Sequence, residues 1–343
     1  MAEKNKIKPE LFWVMDYYSE SGLTKKEYYE QVAKEIEFAE KLGFRGVWIA
    51  EHHFIDYGIV PSTSVYLSHI ASRTRNIRIG PAVATIVFRN PIQVAEEYSL
   101  LDTLSNGRLN LAMGSGYLKH EFMGFNIPQE AKREIFDEAL DIILKLMSGE
   151  SVSVNSKYFK YENVKINVLP LQKPYPPIWI AVLRAEAAYH VGKKGFNLMM
   201  IPYATVDKID DVKLVTDSYK QGLKEKNTKA EISLAFHTHV SKSFHDAVEE
   251  SKEYLHRYVF SRLYAKRRTL DELYSSGLLL FGGPEDVANQ IYKIWKLTEV
   301  NRLMFLVDYG MKPLTLVQDI LVNIREKVTK LLEEKGIELD FIT

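Results

Sequence analysis

The sequence predicts an α/β fold, a TIM (β/α)8 barrel with insertions, in which residues 1–343 form a single domain. Eight short apolar segments alternate with helical segments, which is the pattern of parallel strands connected by helices. A doubly wound open sheet is the main alternative. It is disfavoured because no glycine-rich dinucleotide-binding fingerprint follows the first strand.

The predicted strands are apolar runs that stop at polar or turn-forming residues. In chain order they are LFWVM at 11–15, GVWIA at 46–50, IRIGPAVATIV at 77–87, RLNLAMG at 108–114, PIWIAV at 177–182, FNLMMI at 196–201, ISLAFHTHV at 232–240 and RLMFLV at 302–307. The predicted helices include TKKEYYEQVAKEIEFAEKLG at 24–43, STSVYLSHIASRT at 62–74, NPIQVAEEYSLLDTLSNG at 90–107, a segment over about 130–148, and GPEDVANQIYKIWKL at 283–297.

Residues at the predicted helix ends support these assignments. Thr24 and Glu27 have the spacing of a capping box, in which side chain and backbone exchange hydrogen bonds at the first turn. Asn90 is the expected N-cap of the third helix, Pro91 is its first residue, and Gly107 ends it.

Two intervals are too long for simple connections. Residues 149–176 contain prolines and aromatic residues, and we expect them to form an ordered insertion before the fifth strand. Residues 255–282 are charged and interrupted by glycine, and they are predicted to form a mobile lid over the active site.

The composition argues against several classes of protein. The 45 lysines and arginines balance the 45 aspartates and glutamates, so the charge favours neither nucleic acid nor an anionic membrane as a partner. No apolar run has the length of a membrane span, and the first residues lack a signal-peptide core, so a cytoplasmic location is expected. The absence of cysteine excludes disulfides, thiolate metal ligands and cysteine nucleophiles.

The motif EHHF, from Glu51 to Phe54, follows the second predicted strand. Because barrels of this type carry their chemistry at the carboxyl ends of the strands, Glu51, His52 and His53 are candidate site residues. Neighbouring side chains of a strand point to opposite sides, so one histidine is expected to face the pocket. The alternative is a structural role, in which these groups cap the barrel and satisfy backbone amides.

A second histidine pair, His237 and His239, lies on one face of the seventh predicted strand. Two histidines and an acid are a common zinc-binding combination. Metal catalysis is disfavoured because further ligands would have to come from distant strands and no HExxH helix is present. Packing within the pocket wall is the expected role of this pair.

Glycines and arginines after later strands suggest a site for a planar or phosphate-bearing ligand. Gly114 and Gly116 flank Ser115, and glycine there lets the backbone approach a ligand closely. Arg133 lies near the start of the following helix, and Arg184 follows the fifth strand. Both arginines carry forked donors suited to phosphate, and their place on consecutive βα units makes them candidates for one site.

With these motifs placed, the chain resembles the bacterial luciferase-like family of flavin-dependent monooxygenases from Leu11 to about Val328. The segments that carry the resemblance are MDYY, GFRGVWIAEHHF, ASRTRNIRIGPAV, RNPIQVAEEYSLLDTLSNGRLNLAMGSGY, PLQKPYPPIWIA, VGKKG and GGPEDVANQI. Their order and spacing are specific to the family, and they imply the barrel fold.

The resemblance implies a two-component, FMN-dependent monooxygenase. A separate flavin reductase would supply reduced FMN, which with dioxygen would form a flavin hydroperoxide that oxygenates a small, apolar organic substrate. The protein would contribute position, exclusion of water and electrostatics, while the cofactor supplies the reactivity.

The resemblance also implies roles for individual residues. The first histidine of EHHF is the one tied to catalysis in the family, so His52 is predicted to accept and return a proton during catalysis. Glu51 and His53 are predicted to fix its tautomer and orientation. In GPAV, the bond between Ala82 and Val83 is predicted to be a cis peptide beneath the flavin ring.

The sequence departs from the family at the expected phosphate site. Gly114 and Ser115 stand where the luciferase α chain has cysteine and arginine. Arg184 stands in place of a phosphate-contacting serine, Ala187 replaces a threonine, and Arg133 is retained. We therefore expect Arg184 to replace part of the phosphate-binding charge lost at position 115.

Alternatives to the monooxygenase stay open at the level of the sequence. Relatives with the same fold use a deazaflavin as a hydride carrier, so a deazaflavin-dependent reductase or dehydrogenase is the first alternative. A flavin-binding protein without catalysis is the second, and a metal-dependent hydrolase is the third.

The substrate and the assembly are predicted only in outline. Trp13, Met15, Phe54, Tyr117 and Phe236 are candidate pocket residues that suggest an apolar cavity, unless the strand phase is shifted by one residue. The resemblance suggests a homodimer that packs through the helices containing SVYLSHIASRT and AEEYSLLDTL.

Overall fold

The structure is a computed structural model that describes residues 5–261 and 269–343. Its strands are β1 (Asn5–Trp13), β2 (Gly46–Ile49), β3 (Arg78–Pro81), β4 (Ala84–Thr85), β5 (Leu111–Gly114), β6 (Val152–Asn155), β7 (Lys160–Val164), β8 (Ile178–Ala181), β9 (Asn197–Met200), β10 (Ile232–Val240), β11 (Leu279–Gly282), β12 (Arg302–Leu306) and β13 (Ile337–Leu339).

The α-helices fill the intervals between these strands. They are α1 (Lys25–Lys41), α2 (Thr63–Arg73), α3 (Pro91–Leu104), α4 (Lys119–Gly124), α5 (Lys132–Ser148), α6 (Ala185–Lys194), α7 (Pro202–Thr205), α8 (Val212–Lys226), α9 (Phe244–Ser261), α10 (Leu270–Ser275), α11 (Pro284–Thr298), α12 (Leu314–Asn323) and α13 (Thr329–Glu334). None of these helices combines the length and the apolar character that crossing a membrane requires, within the part of the chain that the structure describes.

A ring of parallel strands forms the centre of the molecule. The strand order is β3-β2-β1-β12-β10-β9-β8-β5-β4, and each pairing along it is parallel. β3 and β4 are two segments of one strand, interrupted at Ala82 and Val83. A bridge between Ile79 of β3 and Leu109, just before β5, brings β3 beside β5, so the barrel is nearly closed. The predicted α/β barrel is confirmed.

Three parts of the fold go beyond the predicted element order. β11 pairs with β10, and β13 pairs with β1. The interval 149–176 contains the antiparallel hairpin β6–β7. The interval 255–282 contains the end of α9, all of α10, and β11; residues 262–268 lie outside the described residues, and the lid function stays a prediction.

The first strand differs from its predicted bounds of 11–15. β1 begins at Asn5, because Asn5 to Ile7 pair with β13 near the end of the chain, which local apolar pattern does not reveal. It ends at Trp13, and Met15 has a φ of 63°, outside the extended range. The predicted caps at the helix starts are confirmed: Thr24 and Glu27 form a capping box, and the side chain of Asn90 caps α3. The predicted end of the third helix at Gly107 is wrong, because α3 ends at Leu104.

The apolar core has an outer layer between strands and helices and an inner layer within the barrel. Side chains alternate between the layers along each strand. Leu11 and Trp13 of β1 belong to the outer layer, whereas Phe12 belongs to the inner one. Trp48 and Trp179 fill the barrel interior edge to face, with ring centroids 5.8 Å apart.

A buried ionic cluster lies below these tryptophans, at the amino-terminal ends of the strands. Arg302 is paired with Glu10 and also contacts Glu231, 2.6 Å away. Glu10 accepts a hydrogen bond from the indole of Trp48 at 2.8 Å, and the guanidinium lies over the ring of Trp179 at 5.0 Å. The lower half of the barrel is therefore filled, and space for a ligand lies above it.

Candidate active site

A cleft of about 1690 Å³ opens at the carboxyl ends of the barrel strands. The ends of β1, β2, β4, β5, β8 and β9 surround it, and α9 covers one side. Its apolar wall includes Phe12, Val14, Ala50, Val83, Met199 and Ile201, and its polar groups include His52, Tyr57, Tyr117, Glu121 and Tyr258. The cleft thus lies where this fold places its chemistry.

His52 lies in the wall of the cleft and is 8% exposed. Its Nδ1 lies 3.3 Å from Oε1 of Glu121, an oxygen that also accepts a hydrogen bond from the backbone N–H of His53 at 3.0 Å. Since a carboxylate accepts hydrogen bonds, this contact favours the imidazole tautomer that carries its proton on Nδ1 and has Nε2 as an acceptor. A Cβ at Gly58 would lie 2.7 Å from Cδ2 of His52, so this ring position requires glycine there.

Glu51 joins the ends of neighbouring elements. One carboxylate oxygen accepts a hydrogen bond from the backbone N–H of Thr85 at 3.0 Å, and the other accepts one from the hydroxyl of Thr63 at 3.3 Å. Both oxygens therefore hold the top of β4 and the start of α2 against β2. The carboxylate lines the cleft as part of its frame.

The structure corrects the predicted support of His52. The side chain beside its Nδ1 is Glu121, not Glu51 or His53. The Nε2 of His53 lies 3.5 Å from Glu51, and its ring packs edge-on against Phe125 with centroids 4.8 Å apart. Only the backbone N–H of His53 contributes, by holding the Glu121 carboxylate in place.

The peptide bond between Ala82 and Val83 is cis, as predicted. Both residues line the cleft. A Cβ at Gly114 would lie 2.5 Å from Cγ2 of Val83, so any larger residue at position 114 would clash with the Val83 side chain. Gly116, which also lines the cleft, has a φ of 67° that favours glycine.

The lining of the cleft includes two cationic side chains. Lys132 at the start of α5 and Arg184 immediately before α6 line it together with Ser115. An adjoining cavity of about 540 Å³ shares Ser115 and Ala187 with the cleft, and it is lined by Arg133. The predicted phosphate-binding residues therefore border two connected spaces.

Arg133 forms a salt bridge with a neighbouring carboxylate. It contacts Asp137 at 2.7 Å, and Lys194 contacts the same carboxylate at 2.8 Å. Burial alone would raise the pKa of Asp137, but the hydrogen bonds from Lys194 and Arg133 hold that pKa below its ordinary value. Arg184 is exposed and faces the cleft directly, which makes it better placed than Arg133 for a ligand there.

Two predicted pocket residues of β1 and its loop lie on the wrong side of the strand. Trp13 is buried in the outer layer and donates a hydrogen bond from its indole to Glu35 of α1 at 2.9 Å. Met15 is also in the outer layer. Phe12 and Val14 line the cleft instead, because the strand phase is shifted by one residue.

Of the other predicted pocket residues, one lines the cleft and two lie outside it. Tyr117 lines the cleft, as predicted. Phe236 lies in the outer layer, again one residue out of phase, and Phe54 is 62% exposed and packs against Phe125. Sequence reasoning also missed lining residues that come from distant parts of the chain, Glu121 in α4 and Tyr258 in α9, for which no local motif gave a signal.

The second histidine pair is buried in the barrel wall. Nε2 of His239 lies 3.0 Å from Glu250. Burial, reinforced by Lys312, lowers the pKa of His239 to about 2, so the ring is neutral. Within residues 5–261 and 269–343, no group of three or more His, Cys, Asp or Glu side chains is placed to hold a metal ion.

A parallel barrel whose strand ends surround a cleft lined by a buried imidazole, cationic side chains and an apolar wall is typical of an enzyme that binds an anionic cofactor together with an apolar substrate. The sequence model of the luciferase-like monooxygenase family matches residues 10–298. The chain belongs to this family.

Curated relatives are similar over part of their length. An uncharacterized protein of Sinorhizobium fredii is 34% identical over 209 residues, which cover 61% of this chain and 60% of that protein. The oxygenase component of flavin-dependent trigonelline monooxygenase from Acinetobacter baylyi is 25% identical over 234 residues, which cover 67% of this chain and 64% of the relative. The matched region thus spans less than two thirds of these relatives.

Solved structures share the whole fold at low sequence identity. Monooxygenase RslO1 from Streptomyces bottropensis has a TM-score of 0.88 at 22% identity, over 94% of this chain and 98% of that one. The oxygenating constituent of 3,6-diketocamphane monooxygenase from Pseudomonas putida, in complex with FMN, has 0.82 at 18% identity, over the same shares. The coenzyme F420-dependent tetrahydromethanopterin reductase of Methanopyrus kandleri has 0.73 at 16% identity, over 94% and 98%.

Proposed function

We propose that the protein is the oxygenase component of a two-component monooxygenase, which uses reduced FMN and dioxygen to oxygenate a small, apolar organic substrate. The lining of the cleft carries this proposal: it combines the cations Lys132 and Arg184 with a buried imidazole and an apolar wall. The names of the trigonelline and diketocamphane enzymes, an oxygenase component and an oxygenating constituent, support a separate reductase as partner. The expected cytoplasmic location stays part of the proposal.

The residues of the cleft fit FMN. Lys132, Arg184 and the hydroxyl of Ser115 would hold the phosphate, next to the N-terminus of the ten-residue helix α6, whose backbone N–H groups favour an anion. Ala82 and Val83 would support the flat ring, since both line the cleft where the strand is interrupted between β3 and β4. Bound reduced FMN supplies the electrons that activate dioxygen.

His52 would hold or move a proton at Nε2. The Glu121 carboxylate would favour the tautomer with its proton on Nδ1, in which the Nε2 lone pair can accept a proton. Aromatic and aliphatic side chains line the same cleft, so a bound ligand would displace water from around that atom and strengthen its electrostatic effect. Glu121 positions the ring, and Gly58 leaves room for it.

A His52→Ala variant tests this role. We expect it to bind oxidised FMN with the affinity of the wild type but to lose about 10²–10⁴-fold in turnover, the usual contribution of a general acid–base group. FMN affinity is measured by fluorescence titration, and turnover by oxygen consumption with chemically reduced FMN and a panel of apolar compounds. His245→Ala, which changes an exposed histidine of α9, is the matched control. Wild-type turnover in His52→Ala would contradict the assignment.

A deazaflavin-dependent oxidoreductase is the second candidate, because the F420-dependent reductase of Methanopyrus kandleri has the same fold over most of both chains. The two candidates differ in their use of oxygen. Reduced FMN should drive oxygen consumption by a monooxygenase. Hydride transfer to or from F420 without oxygen consumption would identify the alternative.

We also propose a homodimer that packs through α2 and α3. Val65 of α2 is 70% exposed, and Leu104 and Leu100 of α3 are 62% and 47% exposed, which is unusual for large apolar side chains on helices of one surface. α2 and α3 also pack against each other, so these exposed apolar side chains lie on neighbouring helices. Sedimentation analysis should give a dimer, and Leu104→Lys should shift it toward the monomer.

A further inference from the structure

The cavity beside the cleft contains a carboxylate that is shared by two cations. Oδ2 of Asp137 accepts a hydrogen bond from Nε of Arg133 at 2.7 Å, and its Oδ1 accepts one from Nζ of Lys194 at 2.8 Å. Arg133 lies one turn before Asp137 on α5, whereas Lys194 is the last residue of α6. Asp137 therefore joins the two helices and contacts one cation with each carboxylate oxygen.

This cavity adjoins the residues assigned above to the phosphate of FMN. Arg133, Asp137 and Lys194 line it, and its lining shares Ser115 and Ala187 with the cleft. The hydroxyl of Ser115 is one of the groups that would hold the phosphate. A phosphate bound there would lie at the border of the cavity, where the charges of the cavity act on it.

Asp137 cancels part of the positive charge of the cavity. Burial acts to raise the pKa of Asp137, but the hydrogen bonds from Lys194 and Arg133 hold that pKa below its ordinary value, so the carboxylate is ionised at neutral pH. The side chains of Arg133 and Asp137 are 58% and 37% exposed. Water therefore screens the pair, and its effect on a neighbouring anion is expected to be modest.

The guanidinium of Arg133 is a forked donor of the kind that binds phosphate. In this structure its Nε donates to Asp137, so an acid within the protein compensates its charge. A phosphate that approaches the pair is attracted by the guanidinium and repelled by the carboxylate. The ion pair therefore contributes less to phosphate binding than Arg133 alone would.

We propose that Asp137 limits the affinity of the cleft for the flavin phosphate by neutralising Arg133, and that it thereby sets how readily FMN leaves. The inference rests on the proposed function, in which reduced FMN arrives from a separate reductase and oxidised FMN departs after each turnover. A weaker phosphate contact shortens the time for which the cleft retains the oxidised flavin, because affinity is adjusted mainly through the rate of dissociation. Asp137 is thus unfavourable for FMN binding although it lies beside an arginine suited to phosphate.

Oxidised FMN and riboflavin differ only in the phosphate, so comparing their affinities isolates its contribution. Dissociation constants are measured by fluorescence titration of the full-length wild type and of Asp137→Asn, which removes the charge but keeps an oxygen that can accept from Arg133. We expect the variant to bind FMN about fivefold more tightly, the ratio that corresponds to one partly exposed ion pair, and riboflavin with unchanged affinity. In about 1 M salt most of this gain should be lost, because the Debye length falls to about 3 Å.

Two further variants separate the local effect from a general change in charge. Asp141→Asn removes the same charge one turn further along α5, where Asp141 pairs with Lys145 at 2.7 Å outside the lining of the cavity, and it should leave FMN affinity unchanged. In an Arg133→Gln background, Asp137→Asn should give no gain, because no guanidinium remains to be released from the carboxylate. Thermal unfolding of every variant checks that the fold is retained.

Unchanged or weaker FMN binding by Asp137→Asn would overturn the inference, since the carboxylate would then be neutral or helpful for the phosphate. A gain that riboflavin shares, or that persists without Arg133 or in about 1 M salt, would overturn it as well. These outcomes are distinct from failure of the proposed function. If FMN binds but its reduced form drives no oxygen consumption, only the monooxygenase proposal fails, whereas absence of flavin binding by the wild type would overturn both.

Discussion

Asp16 is a buried carboxyl just beyond β1 that the proposed chemistry does not use. It is fully buried, and one of its oxygens accepts a hydrogen bond from the backbone N–H of Gly310 at 2.7 Å. Burial, with the nearby charge of Asp308, raises the pKa of Asp16 from 3.8 to about 7, although the bond from Gly310 acts in the opposite direction. The folded protein therefore favours the protonated form of this side chain.

The expected size of the effect follows from that pKa. A rise in the pKa of Asp16 from 3.8 to about 7 corresponds to about 4 kcal/mol of difference between the protonated and ionised forms. The pKa of Asp16 is higher in the folded state than in the unfolded state. Its contribution to the free energy of unfolding is therefore fully present below pH 3.8 and is lost as the pH rises to about 7. Asp16→Asn keeps an acceptor for Gly310 but has no proton to lose.

Urea unfolding at intervals from pH 4 to pH 8 measures this contribution. The free energy of unfolding of Asp16→Asn, relative to the wild type, should increase by about 4 kcal/mol across that range. Asp210→Asn is the control, because Asp210 is 70% exposed and 3.8 Å from Lys293, and its curve should run parallel to that of the wild type. Parallel curves for Asp16→Asn as well would refute the reasoning.

Two further substitutions test the site and the barrel separately. Gly58→Ala places a Cβ 2.7 Å from the ring of His52, so turnover should fall by up to about 10²-fold with FMN affinity unchanged; wild-type turnover would contradict the packing argument. Arg302→Met leaves Glu10 buried without its partner and should lower the free energy of unfolding by about 3–5 kcal/mol, measured in urea; a loss under 1 kcal/mol would show that the cluster adds little.

The order of strands and helices and the place of His52 followed from the sequence because they depend on local signals. Apolar runs marked the strands, caps marked the starts of α1 and α3, and EHHF came directly after β2. The cis bond between Ala82 and Val83 followed from the family resemblance, not from local pattern.

Local signals did not predict which strand residues face the cleft or which distant residues contact the site. In LFWVM every residue is apolar, because a barrel strand is buried on both faces, so nothing distinguished Phe12 from Trp13. Glu121 reaches His52 across 69 positions of the chain, and Tyr258 reaches Tyr57 across 201. Such pairs depend on how loops and helices cross the top of the barrel, which local spacing does not encode.

Because the lower half of the barrel is filled, the residues that stabilise the fold are separate from those that select the ligand. Packing of Trp48, Trp179 and the cluster around Arg302 stabilises the barrel strands. The loops above them contact the molecules that bind in the cleft. Directed evolution confined to those loops, for example at Leu183 and Ile201, should therefore change which molecules are accepted while the melting temperature stays close to that of the parent.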